Sequence, residues 1–225
     1  MTIKWSYLGI TPYDKALVLQ NELRQQVLER GDGDYLLLLS HPPVVTRGVS
    51  ERGDNAGLVE PRARFEAEGI QILDVDRGGK TTFHGPEQLT GYFIFDLRRR
   101  NLKLRQFVKK VAEVIVVVLD SYGIDGHYTE SDPGIVIGRR KVGFLGFNVQ
   151  HNVTTHGFSL NIGRDIKAFD YIVSCGKLGR DITSLEDEGG RHFSMYDAYW
   201  RFVTAIGIEF DDTLEEVFVD GRAMV

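Results

Sequence analysis

The sequence predicts a mixed α/β fold in which helices pack on a largely antiparallel sheet. Short apolar runs typical of strands are interspersed with longer segments of helical periodicity. Several predicted strands follow one another with only a turn between them, which is typical of hairpins. A chain of 225 residues is long enough to build one core, so we expect a single domain over residues 1–225.

The composition is that of an ordinary soluble globular protein, with 42% hydrophobic and 26% charged residues. A net charge of −5 gives no reason to expect nucleic acid or an anionic membrane as a partner. The chain has no apolar run of about 18 residues, and its N-terminus lacks a signal-peptide pattern. We therefore expect a cytoplasmic, monomeric protein without nucleic-acid or membrane partners.

Metal and disulfide chemistry find little support in the sequence. The single cysteine, Cys175, excludes an internal disulfide and a cysteine-rich zinc site. The six histidines show no His-x3-His or comparable ligand spacing, which argues against a zinc hydrolase. We expect no metal and no cofactor.

The first predicted elements are a strand, a helix and a buried strand. Ile3–Leu8 has the pattern of the opening strand. Thr11 suits an N-cap and Pro12 the first helical position, where a missing N–H costs nothing. Apolar residues at helical spacing follow until Gly31, which ends the helix. Tyr35–Ser40 is a nearly continuous apolar run, typical of a strand buried on both faces.

Adjacent prolines exclude a helix over His41–Gly48, which leaves a structural turn or a pocket wall as interpretations. Ser50–Gly57 is polar and contains glycine, so we expect a surface loop. A short helix over Pro61–Glu68 and strands over Gln71–Asp76 and Tyr92–Leu97 follow.

Next come a basic cluster and the most regular helix of the chain. We interpret Arg98–Arg100 and Lys103 as a solvated approach to that helix; the alternative is a docking patch for an acidic partner. The helix, Leu104–Tyr122, carries one apolar stripe. Further valines widen this stripe and predict burial on more than one side: Val114, Val116 and Val117.

The remaining elements are an antiparallel meander and a final helix. Gly134–Gly138 and Val142–Val149 are strands flanking a turn, and Val153–Ile162 is the third strand. Ser194 and Asp197 fit a capping box at the start of the helix. We assign no function to the short acidic tail that follows.

The most informative stretch is the polar segment Arg77–Tyr92, between two predicted strands. Gly78-Gly79 permits φ > 0 or a close approach of the backbone to a ligand. Hydrogen-bonding side chains surround this gap: Arg77, Thr82, His84 and Gln88. Composition alone leaves open both a hydrogen-bonded loop and a binding site.

This segment resembles the signature of the lipoyl(octanoyl) transferases. The residues that fit are Arg77, Gly78, Gly79, Thr82, His84, Gly85, Pro86, Gln88, Leu89 and Tyr92. Glu87 stands where a glycine is usual, and Thr90-Gly91 replaces a more apolar pair. His41–Gly48 also resembles a family segment, which favours the pocket wall.

The C-terminal motifs of that family follow in the same order. They match Lys141, Phe144–Gly146, His156–Ile162, Ser174–Gly176 and Thr183–Leu185. Ser174 replaces the proline that is common before Cys-Gly, and Phe144 replaces a small residue, which bears on the shape of the acyl pocket. The fold implied is that of the biotin and lipoate protein ligases, related to the catalytic core of class II aminoacyl-tRNA synthetases.

Cys175 and Lys141 are the catalytic residues that the resemblance implies. By themselves, a lone cysteine is more often a buried small hydrophobe, and a lysine beside Arg139-Arg140 fits a charged turn. An ordinary thiol is only about 3% thiolate at pH 7, so a nucleophilic cysteine needs a base or cation beside it. His84, His156 and Lys141 are the candidates. In the family the matching cysteine and lysine act as a dyad.

The resemblance also implies a ping-pong reaction. Octanoyl-acyl carrier protein would acylate Cys175, and a lysine of a lipoyl domain, in a 2-oxoacid dehydrogenase complex or the glycine cleavage H protein, would accept the octanoyl group. Candidate oxyanion donors are backbone N–H groups at Gly78-Gly79 or Gly176. The implied substrate-binding residues are Arg77, Gly78, Gly79, Lys80, Thr81, Thr82, Phe83, His84, Phe144, Leu145, Gly146, His156, Gly157 and Phe158.

Two alternatives remain open. An ATP-dependent lipoate or biotin ligase on the same fold would form an acyl-adenylate, with Arg77–Gly79 as its nucleotide loop and Lys141 as its phosphate-binding lysine. A non-catalytic module would bind acyl groups or lipoyl domains without turnover. ATP dependence separates the ligase from the transferase, and the absence of turnover would mark the module.

Overall fold

A computed structural model describes residues 1–31, 33–51, 53, 55–130, 132–174 and 181–219. This part of the chain forms an eight-stranded sheet in the order β11-β1-β2-β6-β10-β9-β8-β7 and a three-stranded sheet in the order β4-β3-β5. In the large sheet, β1 pairs in parallel with β2 and β11, and the other neighbours are antiparallel. The predicted mixed, largely antiparallel sheet is confirmed.

The strands are β1 (Thr2–Ile10), β2 (Asp34–Ser40), β3 (Val44–Arg47), β4 (Gln71–Asp74), β5 (Thr81–His84), β6 (Gln88–Ile94), β7 (His127–Thr129), β8 (Gly134–Ile137), β9 (Arg140–Gln150), β10 (Val153–Asn161) and β11 (Thr213–Glu216). The helices are α1 (Tyr13–Arg30), α2 (Arg62–Ala67), α3 (Leu104–Ser121), α4 (Leu185–Gly189) and α5 (Met195–Phe210), with a 3-10 helix at Lys167–Tyr171. No helix within these ranges is both long and apolar enough to span a bilayer.

Helices cover both faces of the large sheet. Because side chains alternate along a strand, Leu36 of β2 packs with α3 and α5 while its neighbour Leu37 packs with α1. Every residue of β2 is buried, as its continuous apolar run predicts. The ring of Phe93 in β6 lies edge-on to Phe107 of α3 and to Phe202 of α5, which fixes these helices over the centre of the sheet.

The small sheet has a core of its own beside the large one. Phe65 of α2 and Phe83 of β5 lie in this core. Phe144 brings β9 of the large sheet into the same cluster, where its ring stacks on Phe169 with centroids 5.2 Å apart. The two sheets are therefore fixed to one another by aromatic packing at the place where the motif residues lie.

The polar segment Arg77–Tyr92 differs from its predicted form in one respect. We expected Arg77–Tyr92 to connect two strands, but its second half itself contains β5, in the small sheet, and the start of β6, in the large sheet. Its first half does form a turn, and Gly79 has a φ of 87° there, a conformation that favours glycine.

Three local predictions at helix ends and faces are wrong. Pro12, not Thr11, occupies the N-cap of α1, and the Thr11 hydroxyl donates to the carbonyl of Leu8 instead. Ser194 caps α5 without a side-chain hydrogen bond, and Asp197 pairs with Arg201 rather than completing a capping box. Val117 is 51% exposed, so the apolar stripe of α3 does not extend that far.

Half of the basic cluster is structural: Arg98 and Lys103 are exposed, as its interpretation as a solvated face predicts, but Arg99 and Arg100 are not. The fully buried carboxylate of Asp34 accepts hydrogen bonds from Arg99 and Arg100, and Arg100 also pairs with Asp212 at 2.6 Å. Arg100 is itself buried and lies over the ring of Phe95. These charges neutralise one another inside the fold, so they offer little to an acidic partner.

Candidate active site

A pocket lies where β5, β6, β9 and β10 meet the start of α1. Its lining combines apolar rings with a polar end: Tyr13, Arg77, Gly78, Gly79, Thr82, His84, Tyr92, Phe144, Leu145, Gly146, His156, Gly157, Phe158 and Ser159. This lining is typical of a small-molecule site, in which apolar walls hold the ligand and a few polar groups orient it.

The fold brings three separate stretches of predicted site residues to this pocket. They are the turn Arg77–Gly79 with Thr82 and His84, the segment Phe144–Gly146 on β9, and His156–Phe158 on β10. β9 and β10 are paired so that Gly157 lies opposite Gly146. The pairing of these two strands thus places the second and third stretches side by side.

The other predicted substrate-binding residues lie elsewhere. Thr81 and Phe83 alternate with Thr82 and His84 along β5, so their side chains face the opposite side of the strand. The ring of Phe83 packs edge-on against Phe169, 5.6 Å away, in the core of the small sheet. Lys80 is exposed to solvent.

Arg77 is held by β3 rather than left to reach freely into the pocket. Its Nη2 donates to the carbonyl and to the hydroxyl of Thr46, each at 2.8 Å, and its Nη1 donates to the carbonyl of Gly78. Gly48 permits this approach, because a Cβ there would lie 2.4 Å from the carbonyl oxygen of Gly79. The segment expected to be a turn or a pocket wall therefore supports the turn from behind.

A buried hydrogen-bonded pair lies beneath the pocket. His41 Nδ1 lies 2.7 Å from the carbonyl of Thr11, so this nitrogen carries the proton and donates. Its Nε2 then accepts from the hydroxyl of Tyr92, also at 2.7 Å. Burial lowers the pKa of His41 to about 4, so the ring is neutral at physiological pH.

The remaining titratable groups on this side are also held uncharged. Burial lowers the pKa of His84 well below its ordinary value, and the neighbouring charge of Arg77 acts in the same direction. Burial raises the pKa of Tyr13 to about 12 and raises that of Tyr92 as well. The buried histidines and tyrosines of the pocket are therefore polar but uncharged beside the guanidinium of Arg77, which suits a carbonyl group joined to an apolar chain.

His156 is the most constrained side chain of the lining. Its φ is 60°, unusual for a residue other than glycine, and its backbone N–H donates to Oε1 of Gln20 at 2.6 Å. Its Nε2 donates to Asp76 at 2.8 Å, and its Nδ1 faces the hydroxyl of Tyr13 at 3.3 Å. Asp76 consequently has a pKa below its ordinary value, chiefly because of the hydrogen bond from His156.

Lys141 lies beside the pocket wall and is fully buried. Its Nζ lies 2.9 Å from a carboxylate oxygen of Asp132 and 5.2 Å from the centre of the Phe144 ring, which lines the pocket. Cys175, the expected nucleophile, lies outside the described residues, and so does Gly176. Of the two residues of the expected dyad, the structure therefore describes Lys141 alone.

One of the candidate oxyanion donors is already engaged. The backbone N–H of Gly78 donates to the carbonyl of Phe147 at 2.9 Å, which ties the turn to β9. That prediction is therefore wrong for Gly78.

Residues that the sequence did not indicate complete the site. Tyr13 lies on the apolar face of α1, and no local pattern distinguishes it. Asp76 gave a weak signal, since it directly precedes the predicted site residue Arg77, whereas no local pattern distinguishes Asp132. Ser159 lines the pocket because it follows the His156–Phe158 segment on β10.

Comparison with known proteins places this site in a family. The model of the lipoyl protein ligase A/B catalytic domain matches residues 12–207. An octanoyltransferase of Alkaliphilus metalliredigens is 36% identical over 80% of this chain and 82% of the relative. An octanoyltransferase of Caldicellulosiruptor bescii is 35% identical over 95% of this chain and 94% of the relative.

Solved structures give the same fold at much lower sequence identity. The crystal structure of lipoate-protein ligase A bound with ATP superposes with a TM-score of 0.81 at 14% identity, covering 98% of this chain and 90% of the other. This likeness confirms the lipoate-ligase-like fold that was expected.

Proposed function

Because the chain belongs to the family of lipoyl protein ligase A/B catalytic domains, we propose that it is an octanoyltransferase acting in protein lipoylation. It takes an octanoyl group from octanoyl-acyl carrier protein and passes it to a lysine of a lipoyl domain. The acceptor belongs to a 2-oxoacid dehydrogenase complex or is the glycine cleavage H protein. The observation that carries this proposal is the pocket of motif residues beside a buried lysine, in a chain about one third identical to octanoyltransferases.

The pocket suits an acyl thioester. Apolar side chains on one side can hold an alkyl chain: Phe144, Leu145 and Phe158. The other end offers the neutral polar groups of Tyr13 and His84, and the imidazole of His156, to a carbonyl. Its glycine turn permits a close approach of the backbone, and the N–H of Gly79 is our proposed oxyanion donor now that Gly78 is engaged.

The first half of the reaction makes an acyl-enzyme. The Cys175 thiolate attacks the thioester carbon, a new C–S bond forms, and the C–S bond to the carrier breaks. The leaving thiolate takes up a proton, which Lys141 can supply through its ammonium group. One thioester replaces another, so this step is close to thermoneutral and needs no nucleotide.

The second half delivers the group to the lipoyl domain. The acceptor amine attacks the acyl-Cys175 thioester, a C–N bond forms, and the C–S bond to Cys175 breaks. The amine loses a proton as the amide forms, and Lys141 accepts it once it has donated its own. The product amide is more stable than the thioester, so the transfer is driven forward.

An ATP-dependent ligase is the second candidate, since solved structures of lipoate ligases share the fold. Their identity of 14% supports the fold alone, whereas relatives named octanoyltransferase are 34–36% identical. The transferase is therefore the better-supported reading.

Intact-mass spectrometry tests the proposal directly. The protein is incubated with octanoyl-acyl carrier protein and no ATP, and its mass is measured before and after adding a lipoyl domain. We expect a gain of one octanoyl group, lost in C175A and released to the lipoyl domain. Activity that appears only with ATP and a free fatty or lipoic acid would establish the ligase instead, and no turnover with either donor would indicate a binding module.

A further inference from the structure

The charge of Lys141 has one partner among the residues that the structure describes. An ammonium group without solvent contact is costly unless it is paired and hydrogen-bonded. Asp132 supplies that pairing at 2.9 Å, and its own side chain remains 35% exposed. The nearby Glu188 is engaged by Arg140 and by the hydroxyl of Thr183, so it does not compete for Lys141.

The backbone of β8 is shaped to let the lysine reach Asp132. A Cβ at Gly134 would lie 2.1 Å from Cε of Lys141 and 2.8 Å from its Nζ, so the side chain crosses the strand where no Cβ stands. The pairing of β8 with β9 is irregular at this place, since Val136 lies opposite Lys141 but Ile135 lies opposite Gly143. Such a bulge redirects the side chains next to it.

The ammonium group of Lys141 also lies against an aromatic ring of the pocket wall. Nζ lies 5.2 Å from the centre of the Phe144 ring, a distance at which a cation is attracted to an aromatic face. An ammonium has three N–H donors, and Asp132 uses one of them. Among the described residues the other two have no hydrogen-bond acceptor, so they can serve the reacting groups that the proposed function brings to this wall.

We propose that Asp132 is the positioning residue for Lys141: its carboxylate anchors the amine beside the pocket wall, along the path that Gly134 leaves open. This inference rests on the proposed function. The ammonium so held stabilises the Cys175 thiolate before the first half-reaction and gives its proton to the departing carrier thiolate. In the second half-reaction the neutral lysine accepts the proton that the acceptor amine loses, and Cys175 leaves as a thiolate, so the starting ion pair is restored.

The test compares D132N with D132E and with E130Q in single-turnover acylation by octanoyl-acyl carrier protein across pH. Glu130 is the matched control, because it is an exposed acid on the same segment that pairs with Arg105 at the surface. We expect D132N to lower the plateau rate about tenfold or more, D132E to recover part of it, and E130Q to stay within about twofold.

The shape of the pH profile separates positioning from simple damage. Without the carboxylate the site carries one negative charge less, so it releases its proton more easily, and the acid limb of the D132N profile should move to lower pH by about one unit. More of the deprotonated site is then neutral amine and thiol, which explains the lower plateau. A folding defect would lower the plateau and leave the limb in place.

The outcomes are distinguishable from those of the proposed function. If the wild type forms no octanoyl adduct, the proposed function fails. If the wild type is acylated and D132N keeps both the rate and the pH profile of E130Q, the role of Asp132 is overturned. A reduced plateau with an unmoved limb and no recovery in D132E would also overturn it.

Discussion

His156 Nε2 lies 2.8 Å from a carboxylate oxygen of Asp76, and this pair joins the third stretch of site residues to the residue that precedes the first. The other ring nitrogen, Nδ1, has a longer contact of 3.3 Å with the hydroxyl of Tyr13. Asp76 is itself held by Nδ2 of Asn148, which donates to its carboxylate at 2.6 Å and to its carbonyl at 2.9 Å. The carboxylate of Asp76 is therefore the stronger of the two contacts that orient this imidazole in the pocket wall.

Replacing Asp76 by Asn should impair turnover more than stability. The amide can no longer accept a charge-assisted hydrogen bond from His156, whose loss is worth about 1.5–3 kcal/mol, so we expect kcat/KM to fall roughly tenfold or more. Steady-state transfer of octanoyl groups to a lipoyl domain measures this. D120N changes an exposed acid on α3, on the opposite face of the sheet, and should leave kcat/KM unchanged. Equal effects of the two variants would contradict the role of Asp76.

Acidification should unfold the protein through its buried histidines. The folded state holds His41 with a pKa of about 4, below the ordinary value near 6.5. Between these two pH values the unfolded chain binds a proton that the folded chain does not. As the pH decreases through this range, the free energy of unfolding therefore falls by about 1.4 kcal/mol per pH unit for this group. The lowered pKa of His84 adds to the same loss.

Urea unfolding at a series of pH values checks this prediction. We expect H41Q to weaken the pH dependence below pH 6.5, in comparison with H127Q, which changes an exposed histidine of β7. Asp76 acts in a lower range, because its depressed pKa means that its contribution is present above about pH 4 and is lost as the pH falls further. An unfolding free energy that is flat between pH 4 and 6.5 would exclude a neutral buried His41.

Phe144 should limit the length of the acyl chain. Its ring lines the pocket and is fixed by stacking on Phe169, so F144A enlarges the pocket rather than merely loosening it. Each additional buried CH2 is worth about 0.8 kcal/mol, so decanoyl transfer could gain up to about tenfold relative to octanoyl transfer. Competition between octanoyl- and decanoyl-acyl carrier protein measures the ratio. F144L retains most of the volume and should keep the wild-type preference.

Gly134→Ala should be more harmful when Lys141 is present than when it is absent. The new Cβ would overlap Cε of the lysine at 2.1 Å, and in either background it would lie 2.8 Å from the carbonyl oxygen of Gly143. A double-mutant cycle measures the coupling: G134A should destabilise the wild type by about 1–3 kcal/mol more than it destabilises the K141A variant. Equal costs in both backgrounds would mean that the lysine does not run over Gly134.

Asp34 should be among the most sensitive positions for stability. Its fully buried carboxylate is shared by Arg99 and Arg100, and removing one charge of a buried network typically costs about 3–5 kcal/mol. We expect D34N to lower the free energy of unfolding by that order, as seen in urea denaturation. R98E changes Arg98, an exposed residue of the same basic cluster, and should have little effect on the free energy of unfolding.

Sequence alone predicted the parts of this protein that depend on local periodicity. The stripe of α3 and the continuous run of β2 follow from burial on one or two faces, and both were placed nearly to the residue. The pairing of Asp34 with Arg99 could not be predicted, because it joins residues distant in the chain and produces no periodic pattern in the sequence. Hydrogen-bond competition likewise decided against the capping box at Ser194, since Tyr122 and Arg201 engage Asp197.

The pocket was predicted in outline for a related reason. Its motif residues lie on paired strands, so their order in the sequence indicates their proximity once the pairing is known. Contributions from α1, such as Tyr13, depend on how a helix packs across the sheet, and nothing in the helix itself records that. The position of Lys141 followed from its motif, whereas its counter-ion Asp132 emerged only from the irregular strand pairing beside it.

The parallel pairing of β1 with β11 constrains how the chain acquires its fold. Residues Thr2–Trp5 lie beside Thr213–Glu216, so this ladder joins strands from opposite ends of the described chain. Until a nascent chain has been translated beyond residue 216, the outer edge of β1 presents unpaired N–H and C=O groups that another polypeptide could bind. Translation at about 5–20 residues per second leaves this edge open for many seconds, so protection during synthesis matters more for this protein than for one closed by local hairpins.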